Sequence, residues 1–235
     1  MTQTISIVLV GVGGYGGTYV RALLDQADRS QFVLSGVVDP YASRCERLDE
    51  LKQLGATVVD TQDAFYQDHA ADLAVISSPI HLHAPQTVRA LQGGSDVLCE
   101  KPLGSTFQEM AEMIAAREAA GKTVGIGYQW SHSPVIQNLK QDIMRGRFGA
   151  PRRLQTMVLW PRGEKYYRRN QWAGAKQDPQ GRWIMDSPVN NATAHYLHNM
   201  FYLLGSEIDR AARPKTVVSE LYRANDITNY DTGIV

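Results

Sequence analysis

Residues 5–16 read Ile5-Ser-Ile-Val-Leu-Val-Gly-Val-Gly-Gly-Tyr-Gly16, an apolar run that ends in a cluster of glycines. Ile5 to Val10 is short and rich in β-branched residues, which is typical of a buried strand. Tyr15 to Ala27 then has apolar residues at helical spacing, which predicts a helix. A strand, a glycine-rich turn and a helix in this order are typical of the first unit of a parallel, doubly wound sheet.

The same alternation of strands and helices continues to about residue 128. Further strands are predicted at Phe32–Val38, Thr57–Val59, Leu73–Ile76, Asp96–Cys99 and Thr123–Tyr128. Helices are predicted from the N-cap Ser43 to Leu54, at Ala84–Leu91 and at Thr106–Ala120. This order predicts an α/β chain whose residues 1–128 form a Rossmann-type domain with a doubly wound parallel sheet.

Residues 129–235 have a different pattern and predict a second α/β (α+β) domain with an open sheet. Its helices are predicted at Pro134–Arg145 and Ala192–Leu204, and its strands at Leu154–Trp160 and Lys215–Arg223. The polar, aromatic connection Pro161–Gly181 is long, and such loops are more often functional than idle. Asp231–Val235 resembles the start of a strand without a partner, so we expect an incomplete, C-terminally truncated sheet.

The composition excludes several classes of protein. The 235 residues include 24 Lys and Arg against 24 Asp and Glu, so the net charge is zero and a nucleic-acid or anionic-membrane binder is not indicated. Neither a membrane-spanning apolar run nor a signal-peptide pattern is present, which predicts a soluble, cytoplasmic protein. Cys45 and Cys99 are too few for a disulfide framework, and the six histidines lack metal-ligand spacing, so no metal is expected.

The glycine cluster satisfies the pattern G-x-G-x-x-G, in which Gly11, Gly13 and Gly16 have different tasks. Gly11 permits the tight turn, Gly13 lets the backbone approach a pyrophosphate, and Gly16 lets helix and strand pack closely. The N-terminus of the following helix favours the negative charge of the phosphates. Gly14 and Tyr15 complete this predicted dinucleotide-binding loop. A glycine-rich turn without a ligand is the alternative.

Asp39 lies at the end of the second predicted strand, 23 residues after Gly16. A carboxylate at this position accepts hydrogen bonds from ribose hydroxyls and repels a 2′-phosphate, so NAD is favoured over NADP. Arg44 is close enough in sequence to keep NADP possible. The alternative role of Asp39 is to form the turn before Pro40.

Three further motifs follow the glycine loop in a fixed order. They are Ser78-Pro79-Ile80-His81-Leu82-His83, Glu100-Lys101-Pro102 and Gly125-Ile-Gly127-Tyr128. Together with the glycine loop they resemble the Gfo/Idh/MocA oxidoreductases, closely to residue 128 and more loosely beyond it. The resemblance implies a Rossmann domain followed by an α/β domain with a large open sheet. It also implies hydride transfer between a nicotinamide cofactor and a carbon of a sugar or polyol.

The resemblance assigns roles to residues of the first domain. Lys101 would contact the reacting hydroxyl, and Glu100 would help to position it. His81 and His83 would line the nicotinamide side of the cleft or cap the following helix. The cofactor-binding residues expected in all are Gly11, Gly13, Gly14, Tyr15, Gly16, Asp39, Ser78, Pro79, His83, Glu100 and Lys101.

The resemblance also implies an Asp-x-x-x-His motif in the second domain. Counting back from Gly205 places the histidine at His195, and Asn191 replaces the aspartate. A spacing of four residues on a helix predicts that both side chains share one face. An amide can hold a hydroxyl but cannot take a proton. We therefore expect His195 to be the general base and Lys101 to stabilise the substrate oxygen.

The predicted catalytic residues are Lys101, His195 and Asn191, and the predicted substrate contacts are Lys101, Tyr128, Asn190, Asn191, His195 and Trp172. A histidine that merely packs in the core is the alternative for His195, and a structural or rim position is the expectation for His198.

The sequence leaves two other functions open. One is a dinucleotide-binding protein without turnover, such as a sensor or a truncated remnant, which Asn191 and the abrupt C-terminus favour. A methyltransferase is the other, although it leaves Glu100-Lys101-Pro102 unexplained. The resemblance further implies a homodimer or homotetramer. Neither the sugar or polyol substrate nor the direction of the reaction follows from the sequence.

Overall fold

The computed structural model describes residues 4–235 and divides into two compact units. The first unit ends at Gly127, and the second comprises Tyr128–Val235. The boundary expected from the sequence lies one residue later.

The first unit is built on a six-stranded parallel sheet with the strand order β3-β2-β1-β4-β5-β6. The strands are β1 (Ile5–Val10), β2 (Phe32–Val38), β3 (Thr57–Val59), β4 (Leu73–Ile76), β5 (Asp96–Cys99) and β6 (Val124–Ile126). This confirms the predicted α/β class with a doubly wound sheet. The chain reverses its direction of strand addition between β1 and β4, the position at which such sheets bind ligands.

Five helices accompany these strands. They are α1 (Gly16–Arg21), α2 (Leu48–Gln53), α3 (Gln62–Asp68), α4 (Ile80–Gln92) and α5 (Phe107–Ala120). Thr106 caps α5 by accepting the Glu109 N–H, and the Glu109 carboxylate accepts the Thr106 N–H in return. This reciprocal capping explains why α5 begins where the sequence predicted.

The core of the first unit lies on both faces of the sheet. Ile7 and Leu9 of β1 belong to one apolar cluster, whereas Val8 and Val10 belong to a second cluster. Because successive side chains of a strand point to opposite faces, a run of apolar residues such as β1 needs cover on both sides. Ile5–Val10 is therefore apolar without alternation because β1 is a central strand that helices cover on both faces.

The contact between α1 and the turn after β1 leaves no room for a side chain at Gly16. A Cβ atom there would overlap the Gly11 carbonyl oxygen and would lie 2.9 Å from Ser77 Oγ. Gly11 itself has a φ of +87°, a left-handed conformation that favours glycine. Both glycines are therefore required for the helix to start against the strand ends.

Two local expectations for the first unit differ from the structure. The predicted helix Tyr15–Ala27 is α-helical only over Gly16–Arg21 and continues as a π-helical turn at Ala22–Gln26. Ser43 is not an N-cap, because it lies in a 3₁₀ turn at Ala42–Arg44 and α2 begins at Leu48. The Asp39 carboxylate accepts the Tyr41 N–H, which starts this tight turn after β2.

The sequence-based interpretation also missed α3. Its signal is Thr61, whose hydroxyl oxygen accepts the Ala64 N–H at 3.2 Å as an N-cap. Phe65 of α3 is fully buried in the second apolar cluster. The helix is short, so its apolar period is too brief to recognise without the cap.

The second unit contains α6 (Pro134–Met144), α7 (Glu164–Tyr167) and α8 (Ala194–Leu203) and the antiparallel pair β7 (Glu220–Tyr222) and β8 (Thr232–Ile234). A π-helical turn at Pro188–Ala192 precedes α8. Asn229 and Asp186 connect the segment before β8 to the segment before this turn, since Asn229 Nδ2 donates to the Asp186 carbonyl at 2.9 Å.

One strand prediction for the second unit is wrong, and another is correct only in part. Leu154–Trp160 has no strand, and its Met157 and Leu159 side chains are 74% and 79% exposed. Within the predicted strand Lys215–Arg223, only β7 pairs. The C-terminal segment does have a partner, because Thr232–Ile234 pairs with β7. Alternation of apolar residues predicted extended backbone but not whether a neighbouring strand pairs with it.

We expect Gly16→Ala to destabilise the first unit by about 1–3 kcal/mol, because a Cβ this close to backbone forces the helix away from the turn. Gly13→Ala is the matched control, since a Cβ at Gly13 meets nothing within 4 Å. Its free energy of unfolding should stay within about 0.5 kcal/mol of the parent protein. Urea unfolding of the two variants measures the difference, and equal losses would contradict the assigned packing role of Gly16.

Candidate functional site

The glycine loop follows β1 and is held from the carboxyl ends of β2 and β4. The Gly11 N–H donates to the Val38 carbonyl at 2.9 Å, and Ser77 Oγ donates to the Gly11 carbonyl at 2.8 Å. The space beside Gly13 is open, because an added Cβ would meet no atom within 4 Å. An open glycine beside a helix start lets a pyrophosphate approach the backbone closely. The loop therefore fits the phosphates of a dinucleotide.

Asp39 connects the end of β2 to this loop. Its Oδ2 accepts the Val12 N–H at 2.9 Å, and its Oδ1 accepts the Tyr41 N–H at 2.8 Å. A carboxylate oxygen has a second lone pair, so each oxygen keeps acceptor capacity for a ribose hydroxyl. The Arg44 guanidinium lies 4.6 Å from the centroid of the Tyr41 ring, beside the same strand end.

His83 fastens the turn after β4 to the turn after β5. Its Nδ1 lies 2.7 Å from the Pro102 carbonyl and its Nε2 lies 2.9 Å from the Ser78 carbonyl. Burial lowers the pKa of His83 below its ordinary value, against the opposing effect of the two carbonyls. Since only 2% of His83 is exposed, its ring positions these two turns from within the unit.

Glu100 is also buried, and two donors hold its carboxylate. Tyr19 Oη of α1 donates to Oε1 at 2.7 Å, and the Lys101 N–H donates to Oε2 at 3.2 Å. Burial and the neighbouring Glu100 raise the pKa of the Tyr19 hydroxyl. The arrangement places Lys101 directly after β5, at the same sheet edge as the glycine loop. Tyr19 escaped the sequence analysis, and its one signal is its place one helical turn after Gly16.

The remaining residues that the sequence predicts to bind the cofactor lie at this edge too. Ser78 and Pro79 form the turn between β4 and α4, and Ser78 Oγ donates to Gln86 Oε1 within α4. Gly14 has a φ of +53° and, like Gly13, open space where a Cβ would stand. Tyr15 is 53% exposed beside it, with its ring edge-on to Tyr19. The first unit thus brings the predicted cofactor residues to the carboxyl ends of its strands, with His83 buried behind the two turns that it holds.

The second unit places two of its predicted residues in an aromatic cluster. His195 stacks on Trp130, with ring centroids 5.0 Å apart, and lies edge-on to Tyr128 at 5.9 Å. Tyr128 also stacks on His198 at 4.2 Å. Burial, together with His132 and Lys140, lowers the pKa of His198, which favours its neutral form. Trp130 escaped the sequence analysis, although it follows Tyr128 closely.

Asn190 and Asn191 lie in the π-helical turn that precedes α8. The helical spacing used to place Asn191 and His195 on one face is therefore not that of a continuous α-helix, because Thr193 interrupts it with a φ of −110°. Thr193 donates its N–H to the Pro188 carbonyl at 2.7 Å, five residues back, and this widens the turn.

Both amides donate to the segment before the turn. Asn190 Nδ2 donates to the Met185 carbonyl at 3.1 Å, and Asn191 Nδ2 donates to Asp186 Oδ1 at 2.6 Å. Asp186 is 3% exposed. It escaped the sequence analysis because only the fold reveals its contact with Asn191.

Trp172 belongs to a group of rings and guanidinium groups between residues 160 and 172. Arg169 lies 3.5 Å from the centroid of the Tyr166 ring and 5.2 Å from that of Trp172. Arg162 lies 4.8 Å from the centroid of Tyr166 on the same segment. Arg162 also faces the Trp160 ring, and Trp160 lies edge-on to Tyr196, which contacts Trp130 of the His195 cluster.

A cavity of about 630 Å³ lies inside the second unit. Its lining includes Trp160, Arg162, Tyr166, Asp186, Tyr196 and Met200, but neither Asn191 nor His195. Tyr196 and Met200 lie on one side of α8, whereas His195 and His198 contact Tyr128. Tyr196 also lies edge-on to Trp130, with ring centroids 4.8 Å apart, so the cavity borders the aromatic cluster.

Two kinds of feature are absent from residues 4–235. No three His, Cys, Asp or Glu side chains there are placed to hold a metal ion together. Within the same range, no helix has the length and apolar character needed to cross a membrane.

Residues 5–128 match the family model of the Gfo/Idh/MocA oxidoreductases, described as an oxidoreductase family with an NAD-binding Rossmann fold. This match covers more than half of the chain. The chain belongs to this family. The glycine loop and Asp39 described above are thus parts of an NAD-binding fold.

Two curated relatives of this Gfo/Idh/MocA member are named as acting on polyols or sugars. The inositol 2-dehydrogenase of Rubrobacter xylanophilus is 27% identical over 209 residues, covering 88% of this chain and 54% of that protein. The 1,5-anhydro-D-fructose reductase of Ensifer adhaerens is 31% identical over 98 residues, covering 42% of this chain and 29% of that protein. The chain thus spans about half or less of the length of these relatives.

Solved structures share the fold. The WlbA dehydrogenase from Bordetella pertussis, in complex with NADH and UDP-GlcNAcA, superimposes with a TM-score of 0.80 at 23% identity. That comparison covers 98% of this chain and 62% of the other. The scyllo-inositol dehydrogenase from Lactobacillus casei with NAD(H) and scyllo-inositol gives a TM-score of 0.56 at 22% identity, covering 63% of this chain and 43% of the other.

Gly13→Ala should weaken NAD binding at least tenfold without unfolding the first unit, because the new methyl group fills the space that a pyrophosphate needs. Titration calorimetry with NAD measures the dissociation constant, and thermal unfolding checks the fold. An unchanged dissociation constant in a folded Gly13→Ala variant would contradict the assignment of this loop to the phosphates.

The stability of the first unit should fall as the pH drops below 6.5, the ordinary pKa of histidine. Because the folded state lowers the pKa of His83, the unfolded state binds more protons in this range. The stabilising contribution of neutral His83 is then complete above pH 6.5 and decreases as the pH falls. His83→Asn keeps one N–H donor but removes the titration, so its urea midpoint should vary less between pH 7.5 and about 5.5. Equal pH dependence in both proteins would argue against this contribution.

Proposed function

We propose that this protein is an NAD-dependent oxidoreductase. It would transfer hydride between NAD and a carbinol or carbonyl carbon of a sugar, a polyol or a related small molecule. The observation that supports this most is the sheet edge of the first unit, where the open glycine loop, Asp39 and Lys101 all follow strands of an NAD-binding family fold. An open parallel sheet binds its ligands at this edge.

The substrate class is supported by the relatives. An inositol dehydrogenase and an anhydrofructose reductase are among the proteins that share sequence with this chain, and both names describe polyhydroxy substrates. The second unit adds amide, hydroxyl and aromatic groups, which suit a ligand with many hydroxyls. Asn190, Asn191, Tyr128 and Trp172 are the proposed substrate contacts beside Lys101 and His195.

The cofactor preference follows from Asp39. Its carboxylate is fixed by two backbone N–H groups and can still accept hydrogen bonds from the ribose hydroxyls. A 2′-phosphate at the same place would meet negative charge, so NAD is favoured over NADP. The Arg44 guanidinium beside Tyr41 is a cation near this strand end that would moderate the preference.

The proposed chemistry divides a proton and a hydride between protein and cofactor. NAD, when bound, supplies the hydride acceptor. His195 takes the hydroxyl proton on an imidazole nitrogen, because imidazole changes its charge near neutral pH. Lys101 donates a hydrogen bond to the same oxygen and stabilises its developing negative charge. Asn191 orients the substrate and leaves the proton to His195.

Binding without turnover is the second candidate function, and Asn191 is the observation that favours it. A neutral amide cannot stabilise an imidazolium by charge as a carboxylate would. A sensor of the NAD state would still use the glycine loop and Asp39. Association into a homodimer or homotetramer belongs to the proposal in either case, and sedimentation analysis would measure it.

The test combines cofactor binding and turnover in one preparation. NAD and NADP are titrated by calorimetry, and absorbance of the reduced nicotinamide is then followed with a panel of polyols and aldoses. We expect tighter binding of NAD than of NADP and reduction of NAD with at least one polyol. His195→Ala should lower kcat by about 10²–10⁴ because it removes the general base. His69→Gln, at the end of α3, is the control and should keep full activity.

The possible outcomes separate the candidates. NAD binding without turnover across the panel would favour the sensor. A His195→Ala variant with full kcat would contradict the general-base assignment, while leaving the oxidoreductase in place. Failure to bind either nucleotide would contradict the whole proposal.

A further inference from the structure

Asp186 is a buried carboxylate at the start of the segment that carries Asn190 and Asn191. Its Oδ2 accepts the Gly174 N–H at 2.6 Å, and its Oδ1 accepts Asn191 Nδ2 at 2.6 Å. Among residues 4–235, no Lys or Arg forms a salt bridge with it. Burying a charge is costly unless donors satisfy it, so these two N–H groups must stay in place.

The backbone around Asp186 is fixed from several sides. Met185 has a φ of +55°, a left-handed conformation that is rare for a residue with a side chain. The Asp186 N–H donates to the Ala175 carbonyl at 3.0 Å, and the Asp186 carbonyl accepts Asn229 Nδ2 at 2.9 Å. Uncommon backbone conformations persist where the surroundings determine them, and they cluster at functional sites.

The hydrogen bond to Asp186 fixes the orientation of the Asn191 side-chain amide. A carboxylate only accepts hydrogen bonds, so the NH₂ group must face Asp186 and the carbonyl oxygen must face elsewhere. Asn190 has the same orientation, because its NH₂ group donates to the Met185 carbonyl. Both amides are thus tied by their donor ends to residues 185 and 186.

We propose that Asp186 is a positioning residue that sets the Asn191 carbonyl oxygen as a hydrogen-bond acceptor for a substrate hydroxyl. This inference rests on the proposed oxidoreductase function. Two adjacent amide oxygens select a substrate that presents hydroxyl donors at this place, and they disfavour a carboxylate or phosphate there. Position 191 thereby presents a neutral acceptor, whose NH₂ group is hydrogen-bonded to the Asp186 carboxylate.

The first variant is Asp186→Asn. Its amide oxygen can still accept the Gly174 N–H, but its NH₂ group then faces the NH₂ group of Asn191. To avoid two opposed donors, the Asn191 amide turns over and presents its NH₂ group instead of its oxygen. The substrate hydroxyl then loses the acceptor for its proton. We expect the KM for the polyol to rise about tenfold, while the NAD dissociation constant stays unchanged.

The exchange variant Asp186→Asn/Asn191→Asp separates positioning from a merely structural role. The carboxylate now at position 191 accepts the NH₂ group of the amide now at position 186 with one oxygen, and it presents its other oxygen as an acceptor. We expect the exchange to restore KM to within about threefold of the parent protein, because the hydrogen bond to the substrate hydroxyl is regained. Failure of the exchange to lower KM would contradict the proposal.

The single variant Asn191→Asp adds a pH signature. It places a second carboxylate against Asp186, and two carboxylates this close raise the pKa of one of them. At low pH a shared proton keeps the pair together, whereas at higher pH repulsion separates them. We therefore expect kcat/KM of this variant to fall as the pH rises through the raised pKa, a limb that the parent protein lacks.

Asp178→Asn is the matched control. Asp178 is another carboxylate of the second unit with a side chain only 6% exposed. It accepts the backbone N–H groups of Gln180 and Arg182 and, unlike Asp186, also forms an ion pair with the Arg182 guanidinium. This variant should lose stability without a change in KM. If Asp186→Asn behaves in the same way, Asp186 is structural and the inference is wrong.

Failure of the proposed function gives a different result. A parent protein that binds NAD but reduces it with no polyol would contradict the oxidoreductase, and the role of Asp186 in substrate binding would fall with it. An active parent protein with an unchanged KM in Asp186→Asn would contradict the positioning role alone.

Discussion

The structure of the first unit depends on the close approach of α1 to the turn after β1. Gly16 lies against the Gly11 carbonyl oxygen, and Ser77 Oγ donates to that same oxygen from the end of β4. This one carbonyl therefore joins two neighbouring strands and the first helix at the position where the sheet changes direction. The loop is closely packed at Gly16, whereas the space beside Gly13 is open. A ligand can therefore approach the backbone at Gly13.

The parts of the fold that the sequence predicts well have local causes. The apolar run Ile5–Val10 and the glycines after it indicate a central strand and a tight turn without reference to any distant residue. The strand prediction for Leu154–Trp160 is wrong because alternation describes which side chains could be buried, whereas a strand needs a partner in register. The described structure pairs β8 with β7 and provides no partner for Leu154–Trp160.

The candidate site likewise contains residues that the local sequence predicts and residues that it does not. Asp39 and Lys101 are predictable because each follows a recognisable strand, and strand ends share one edge of a parallel sheet. Tyr19 and Asp186 are not, because their partners are distant in sequence or lie in an irregular turn. Tyr19 donates to Glu100 across 81 residues of sequence, and no spacing rule connects the two. Positioning residues of this kind become visible only when the fold has brought the chain segments together.

The second unit stabilises a negative charge beside its proposed substrate contacts without placing it at position 191. A carboxylate at position 191 would share any proton with a nearby base, and the charge of the pair would then change with pH. Asp186 instead is buried and accepts one hydrogen bond on each of its carboxylate oxygens. Asn191 is neutral at every pH at which the protein is folded. Asn191 therefore adds no titrating group to the second unit, where His195 stacks on Trp130 and His198 stacks on Tyr128.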